Sequence, residues 1–174
     1  MSEVDIRVME DDEFDHMRSV ALAAFVDEPE IGGTLDALRS SPEWIPELSF
    51  VAETNGEMVG QVLLTRTWLD TADGSVACLQ LAPVAVCPGA QGGGIGGALI
   101  RHAQSVAADR DEPLVFLLGH PEYYPRFGFR QADELGFTLL SAEIAGPPFM
   151  VWPTDRWNPS TQVGGVRWSP AFDA

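Results

Sequence analysis

The segment VAVCPGAQGGGIGGALI, residues 84–100, joins an apolar run to a helical pattern through a turn crowded with glycine. Five glycines lie within the six positions 92–97. Glycine inside a regular element costs about 0.5–1 kcal/mol relative to alanine, so a bare backbone at so many neighbouring positions needs a physical reason. We therefore expect something to approach this backbone closely.

A helix that begins in such a turn is suited to binding an anion. Its first N–H groups have no partner within the helix, and its N-terminus is the positive end of the helix dipole. Glycines let a phosphate reach the backbone without meeting a Cβ atom. A tight strand-to-helix turn accounts for two glycines but not for five. The segment therefore predicts a phosphate-binding turn between a strand and a helix.

The chain has 174 residues, of which 45% are hydrophobic and 21% charged, which predicts one domain, residues 1–174, with a substantial core. No apolar run approaches the roughly 20 residues of a membrane span. The acidic N-terminal stretch lacks the basic-then-apolar order of a signal peptide. Cys78 and Cys87 do not form a disulfide framework, and we expect both to be free thiols. The predicted location is cytoplasmic, without a membrane partner.

The net charge is −16, from 26 acidic and 10 basic residues, and every basic residue is arginine. A nucleic-acid partner is disfavoured, because binding to the phosphate backbone depends on clustered Lys and Arg. The lack of lysine excludes Schiff-base chemistry and a P-loop. No Cys/His pair has the spacing of metal ligands, so no metal is expected.

Hydrophobic periodicity divides the rest of the chain into strands and helices. The dipeptide Asn55-Gly56 is a strong hairpin signal, because both of its positions favour positive φ. The predicted elements are a strand at 4–9, helices at 11–25 and 34–40, the two hairpin strands within 48–69, a strand at 76–86, a helix at 95–108, a strand at 114–119, a turn with a short helix at 120–129, and strands within 136–141 and 148–152, followed by a tail rich in Trp and Pro. This order predicts a mixed α/β sheet covered by helices.

The string Gly92-x-Gly94-x-x-Gly97 also fits the fingerprint of dinucleotide-binding proteins. That motif requires an acidic residue at the end of the next strand, about 20 positions later. Asp111 and Glu112 lie at this distance, but they precede the strand at 114–119 instead of ending it. We therefore rank a dinucleotide-binding oxidoreductase below the two functional hypotheses that are described next.

Two patterns flank the strand at 114–119. Residues 91–96 fit Gln/Arg-x-x-Gly-x-Gly/Ala, after a strand that ends in Val-x-Pro at residues 86–88. Residues 124–129, Tyr-Pro-Arg-Phe-Gly-Phe, fit Tyr-x-x-x-Gly-Phe. At these residues the chain resembles the GNAT superfamily of N-acetyltransferases, in particular its small bacterial single-domain members, and the element order is similar along essentially the whole chain. The resemblance implies a central mixed, largely antiparallel sheet with a splayed parallel strand pair, flanked by helices.

In that family a glycine turn, here called the cradle, holds the pyrophosphate of the cosubstrate acetyl-CoA through backbone N–H groups. Carried over, the cradle residues are Gln91, Gly92, Gly94, Gly96 and Gly97. Peptide dipoles supply the positive field, so no lysine is needed there. Val84 and Val86 match the backbone positions that pair with the pantetheine amides. Tyr124 has the position of the general acid that protonates the leaving thiolate, whereas we expect its neighbour Tyr123 to pack.

The identity of the general base stays open, because family members use a carboxylate, a histidine or a water chain from differing positions. The candidates are His120, Glu122, Asp27, Glu28, Glu30 and water. His16 and His102 lie on predicted helices and are expected at the surface. Trp152, Trp157 and Trp168 either line the acceptor pocket or cover a sheet edge or a dimer interface, so a homodimer also stays open.

The sequence predicts an acetyl-CoA-dependent N-acetyltransferase. It would move the acetyl group to a primary amine of a small-molecule or peptide acceptor by direct transfer in a ternary complex. The alternative is a non-catalytic acyl-CoA-binding sensor or regulatory module that keeps the cradle and lacks catalysis. The intact Tyr124 favours the enzyme.

Overall fold

The computed structural model describes residues 3–140 and 146–173. Within these ranges it contains three α-helices and nine strands, which are β1 (Val4–Val8), α1 (Phe14–Ala24), α2 (Ile31–Arg39), β2 (Ser49–Thr54), β3 (Glu57–Thr71), β4 (Gly74–Val86), α3 (Ile95–Asp109), β5 (Leu114–Leu118), β6 (Arg130–Gln131), β7 (Phe137–Leu139), β8 (Phe149–Pro153) and β9 (Gly164–Arg167). Ser141, the last residue of the strand predicted within 136–141, lies outside the described residues. None of the helices in these ranges combines the length and the apolar composition that crossing a bilayer takes.

The strands form a mixed sheet in the order β1-β2-β3-β4-β5-β8-β6, and β9 pairs with both β3 and β7. The strands β4 and β5 are parallel, with Leu79 beside Val115 and Gln80 beside Phe116. The strands β7 and β9 are also parallel, whereas the pairs β1–β2, β2–β3, β3–β9, β5–β8 and β6–β8 are antiparallel. The predicted mixed, largely antiparallel sheet with helices is therefore confirmed.

Two compact units make up the described chain. The first comprises residues 3–64, 82–103 and 170–173, and the second comprises residues 65–81, 104–140 and 146–169. The elements β3, β4 and α3 each contribute residues to both units.

Helices cover the sheet strands of the first unit on both faces. On one face, Met17 of α1 and Leu35 of α2 pack in one cluster with Leu63 of β3. On the other face, Leu99 of α3 contacts β3 at Gly60. Successive residues of a strand point to opposite faces, so the odd position 63 and the even position 60 belong to different sides of the sheet.

The starts of two helices differ from the prediction. The helix predicted at 11–25 begins with a single 3-10 turn before α1. The second helix begins at Ile31, ahead of the predicted start at residue 34. Ile31 packs against the same core cluster as Leu35. This tertiary packing extends the helix across Gly32 and Gly33 against their low helix propensity.

Aromatic side chains form the core of the second unit. The ring of Phe116 lies 5.1 Å from that of Phe137 and 5.8 Å from that of Phe149, between centroids. Trp157 packs on Phe137 at 5.8 Å, and Trp168 packs on Phe149 at 6.3 Å. Both tryptophans thus pack on the aromatic core of this unit.

The strand β9 lies in the tail, where the sequence does not predict one. Its Val166 pairs with Leu69 of β3 and, on the other side, with Leu139 of β7. The strand begins with Gly164-Gly165. Because glycine is depleted in strands, local propensity does not predict β9. Pairing with strands distant in sequence is what stabilises it.

A buried ion pair links three strands of the second unit. The Arg66 guanidinium of β3 donates to both carboxylate oxygens of Glu112, at 2.8 and 3.0 Å, and to the Cys78 carbonyl oxygen of β4 at 3.0 Å. Glu112 lies just before β5 and is buried. Arg66 and Glu112 therefore connect β3, β4 and the start of β5.

Removing the charge of Glu112 should destabilise the fold. Loss of one partner from a buried pair costs about 3–5 kcal/mol, and because one-fifth of the Arg66 side chain is exposed, we expect about 2 kcal/mol for Glu112→Gln in urea unfolding. The matched control is Asp111→Asn, which breaks the exposed pair of Asp111 with Arg156 and should cost about 1 kcal/mol or less. Equal losses for the two variants would contradict this account.

Candidate functional site

The cradle lies in the turn between β4 and α3. Residues Pro88–Ala90 form a 3-10 turn, after which Gly92 and Gly94 adopt left-handed backbone with φ of +81° and +83°. The helix follows, and the Ala98 N–H donates to the Gly94 carbonyl oxygen at 3.0 Å. The N–H groups of a first helical turn have no partner within the helix, so those of residues 95–97 are open to bonding by a ligand at the glycine turn.

The protein does not cover this turn. A Cβ atom on Gly92 or Gly94 would meet no atom of the described residues within 4 Å, and both glycines are exposed. Their left-handed φ favours glycine at these two positions. Gly96 and Gly97 lie half-buried in the first turn of α3. A ligand can therefore reach the backbone at the start of α3.

Two contacts hold the turn in place. The Gln91 Nε2 donates to the Val86 carbonyl oxygen at 2.9 Å, which ties the turn to the end of β4. On β3, a Cβ atom at Gly60 would lie 3.0 Å from Leu99 Cδ1 and 3.3 Å from Ile95 Cγ2, so α3 packs closely on that strand. Gly60 is missed by our sequence analysis, although a glycine inside a strand pattern signals a close approach.

Peptide dipoles supply the positive field at the cradle. No charged side chain lies within residues 87–97, in a chain of net charge −16. A helix such as the 15-residue α3 carries roughly half an elementary positive charge at its N-terminus. Val84 and Val86 lie half-buried at the end of β4, directly before the cradle. The predicted cofactor residues thus lie together on one strand–turn–helix segment of the first unit.

Tyr124 lies in the second unit, at the start of a 3-10 turn, Tyr124–Phe127. Its half-buried ring contacts the rings of Tyr123 and Phe129, at centroid distances of 5.1 and 5.8 Å. Burial, with a smaller contribution from Tyr123, raises the pKa of Tyr124 to about 12. The hydroxyl is therefore protonated at neutral pH and able to donate a proton.

Tyr123 makes the contacts of a packing residue. The Arg126 guanidinium lies 4.6 Å from the centroid of its ring, and the Arg126 Nε donates to the Tyr123 carbonyl oxygen at 2.9 Å. Its ring also contacts that of Phe127 at 5.3 Å. The turn ends at Gly128, where φ is +85°, as the Tyr-x-x-x-Gly-Phe pattern predicts.

All five side chains considered as the general base are exposed. His120 and Glu122 lie in the turn before Tyr124, and the His120 carbonyl oxygen accepts the Tyr123 N–H at 3.1 Å. The other three, Asp27, Glu28 and Glu30, lie in the loop between α1 and α2. Solvent therefore reaches every one of these candidates.

The placement of His102 corrects the sequence analysis. His16 is exposed, as expected. His102 is half-buried on α3, and its ring stands edge-on to that of Phe50 on β2, with centroids 4.8 Å apart. Packing of α3 against the sheet buries a side chain that local sequence placed at the surface.

The acidic residues needed by the dinucleotide hypothesis have other partners. Glu112 is buried in its ion pair with Arg66, and Asp111 pairs with Arg156. Glu112 is thus unable to reach a ribose hydroxyl. Asp111 is exposed but precedes β5, whereas that fingerprint requires its acidic residue at the end of a strand.

Both cysteines are free, as the sequence predicts. Burial, with a smaller contribution from Glu112, raises the pKa of the Cys78 thiol to about 12. Because the thiolate is the reactive form, Cys78 is inert at neutral pH. Cys87 is half-buried and lies between β4 and the cradle.

Comparison with known sequences identifies a family. Residues 5–132 match the model of the acetyltransferase (GNAT) domain. The chain is also similar to the uncharacterized N-acetyltransferase YjhQ of Escherichia coli (strain K12), with 43% identity over 84 residues. That match covers 48% of this chain and 46% of the relative. The similarity thus spans about half the length of this curated relative.

Solved structures show the same fold. The GNAT family N-acetyltransferase YhbS of Escherichia coli, solved in complex with CoA, has a TM-score of 0.89 at 20% identity, over 100% of this chain and 94% of its own. A GNAT family acetyltransferase from Brucella melitensis, solved in complex with acetyl-CoA, has a TM-score of 0.78 at 28% identity, over 99% and 100%. With a family model that covers residues 5–132 and a fold shared along the whole chain, this protein belongs to the GNAT acetyltransferases.

Proposed function

We propose that this chain transfers the acetyl group of acetyl-CoA to a primary amine of a small-molecule or peptide acceptor. The transfer is direct, in a ternary complex, and residues 1–174 act as one catalytic domain. The observation that carries the proposal is the uncovered glycine turn at the N-terminus of α3. The acetyl-CoA in the Brucella relative supports the donor. The two Escherichia coli relatives, both named N-acetyltransferases, support a nitrogen acceptor.

In this proposal the backbone binds the cofactor. The N–H groups of Gly92, Gly94 and the first turn of α3, which includes Gly96 and Gly97, donate to the pyrophosphate oxygens. Hydrogen bonds to an ionised acceptor are shorter and about twice as strong as neutral ones. Gln91 shapes the turn through its bond to the Val86 carbonyl oxygen. The backbone of residues 84–86 pairs with the pantetheine amides.

The reaction removes two protons from the acceptor nitrogen, one before and one after attack, and supplies one proton to the leaving sulfur. The acceptor ammonium loses a proton to a base, and the free amine attacks the thioester carbonyl carbon. The nitrogen of the tetrahedral intermediate then loses its second proton to the base or to water. The intermediate collapses as the C–S bond breaks, and the sulfur takes a proton from the Tyr124 hydroxyl. Solvent reprotonates the phenolate. Water and the exposed side chains His120, Glu122, Asp27, Glu28 and Glu30 are the candidate bases.

Thermal unfolding with added nucleotides tests the ligand. A ligand at about 100 times its Kd stabilises the native state by about 2.7 kcal/mol, and in a chain of this size each kcal/mol raises Tm by about 2–4 °C. CoA should therefore raise Tm by roughly 5–10 °C, and NAD at the same concentration should leave it unchanged. Stabilisation by NAD alone would contradict the proposal.

The pH dependence of kcat tests the general acid. Burial holds the pKa of Tyr124 at about 12, so the phenol is still protonated well above the ordinary tyrosine value of about 10. We expect no alkaline fall in kcat up to about pH 10.5. Steady-state rates at saturating acetyl-CoA and acceptor provide the measurement. A fall centred below pH 10 would exclude the buried Tyr124 hydroxyl as the proton donor.

A further inference from the structure

Gly119, the residue after β5, contacts the ring of Tyr124. A Cβ atom at position 119 would overlap Tyr124 Cε2 and lie 2.9 Å from Cδ2. Carbon atoms in contact are normally about 3.5–4.0 Å apart, so this ring position excludes any side chain at 119. The φ of Gly119 lies outside the left-handed range. The ring contact, and not the backbone conformation, is therefore what requires glycine.

Contacts on both sides hold Gly119 and the Tyr124 ring in place. The Gly119 N–H donates to the Pro148 carbonyl oxygen at 3.0 Å, which ties its backbone to the chain entering β8. The Tyr124 ring is enclosed by Tyr123 on one side and Phe129 on another, at 5.1 and 5.8 Å between centroids. A new methyl group at 119 therefore has to displace the ring.

We infer that Gly119 is a positioning residue, whose missing side chain sets the place of the Tyr124 hydroxyl for acetyl transfer. This inference rests on the proposed role of Tyr124. The added Cβ would contact both Cδ2 and Cε2, and the edge contacts with Tyr123 and Phe129 oppose rotation of the ring about its Cβ–Cγ bond. The rigid ring therefore shifts as a whole and carries the hydroxyl oxygen with it. A misplacement of about 1 Å at a reacting group costs up to about 10²-fold in rate. Residue 119 thus acts on the reaction through the ring it contacts.

A double-mutant cycle tests this inference. Gly119→Ala should lower kcat by about 10²-fold and leave the KM for acetyl-CoA within about threefold. In the Tyr124→Phe background the same substitution should change kcat by less than about threefold, because the hydroxyl is already absent. An equal loss in both backgrounds overturns the inference and leaves the proposed acid standing. Full kcat in Tyr124→Phe overturns the proposed acid, and the inference with it.

Titration of the phenol reports the ring position without catalysis. The chain has two tyrosines, so Tyr123→Phe leaves Tyr124 as the one phenol for NMR of ¹³C-labelled tyrosine. Burial raises the pKa of Tyr124 to about 12, and a displaced ring gains solvent. In Gly119→Ala/Tyr123→Phe the Tyr124 phenol should therefore titrate within about pH 9–11. In Tyr123→Phe alone it should not titrate in this range. Identical titration curves overturn the inference.

A stability measurement decides the case in which Gly119→Ala does not fold. Tyr124→Ala removes the ring and frees the space in front of residue 119. Gly119→Ala/Tyr124→Ala should then unfold at the same urea concentration as Tyr124→Ala alone. A further loss would mean that the added methyl group clashes elsewhere, for example with Leu117 Cδ1, 3.2 Å from the same Cβ position, and would overturn the inference.

Discussion

Replacing Tyr124 by phenylalanine should lower kcat by about 10²-fold, while Tm and the affinity for CoA stay close to the wild-type values. The substitution removes one oxygen and keeps the ring that packs on Tyr123 and Phe129. General-acid catalysis contributes about 10²–10⁴-fold, and we expect the lower end because a thiolate is already a fair leaving group. The loss should fall on kcat, because the proton is delivered in the transition state.

Tyr123→Phe is the matched control for this variant. It makes the same chemical change one residue earlier, on a ring that packs against Arg126 and Phe127. Steady-state kinetics should show wild-type kcat for it. Loss of activity in Tyr123→Phe together with full activity in Tyr124→Phe would identify Tyr123, and not Tyr124, as the proton donor. Full activity in both variants would mean that water protonates the thiolate.

Gly94→Asp should abolish the rise in Tm on adding CoA. The new carboxylate would lie at the N-terminus of α3, where the proposal places the pyrophosphate, and like charges repel. The free protein should still fold, because a Cβ atom at this position meets no atom of the described residues within 4 Å. Aspartate is also among the side chains that best tolerate left-handed backbone.

Gly56→Asp is the control for Gly94→Asp. Gly56 has a φ of +78° and the same open space around its Cβ position, but it lies in the hairpin turn between β2 and β3. Thermal unfolding of the two variants should show a loss of the CoA effect for Gly94→Asp alone. Equal responses to CoA would show that the negative charge at residue 94 lies away from the bound anion.

The strand, glycine turn and helix of residues 84–100 could be predicted from sequence because their determinants are local. A strand end, a glycine turn and an amphipathic helix follow one another within residues 84–100, and the structure forms them in that order. The Asn55-Gly56 hairpin was readable for the same reason, and both residues have the positive φ that the dipeptide predicts.

The features that the sequence did not reveal depend on contacts between distant segments. The strand β9 is stabilised by its pairing with β3 and β7, and because of its glycines local propensity does not predict it. The burial of His102 needs Phe50 from another element. The Gly119 contact needs the chain to return through the turn that carries Tyr124. Periodicity and motif spacing carry no information on such contacts, because each requires the folded arrangement.

Transfer of a labelled acetyl group tests the central claim most directly. The protein is incubated with acetyl-CoA that carries ¹³C in its acetyl group and with a panel of primary amines that includes polyamines, amino sugars, amino acids and peptides. Mass spectrometry should find labelled N-acetyl product on at least one acceptor, with an equal amount of free CoA, and about 10²-fold slower formation with Tyr124→Phe. Binding of acetyl-CoA with no labelled amine across the panel would contradict the account and indicate an acyl-CoA-binding module without catalysis.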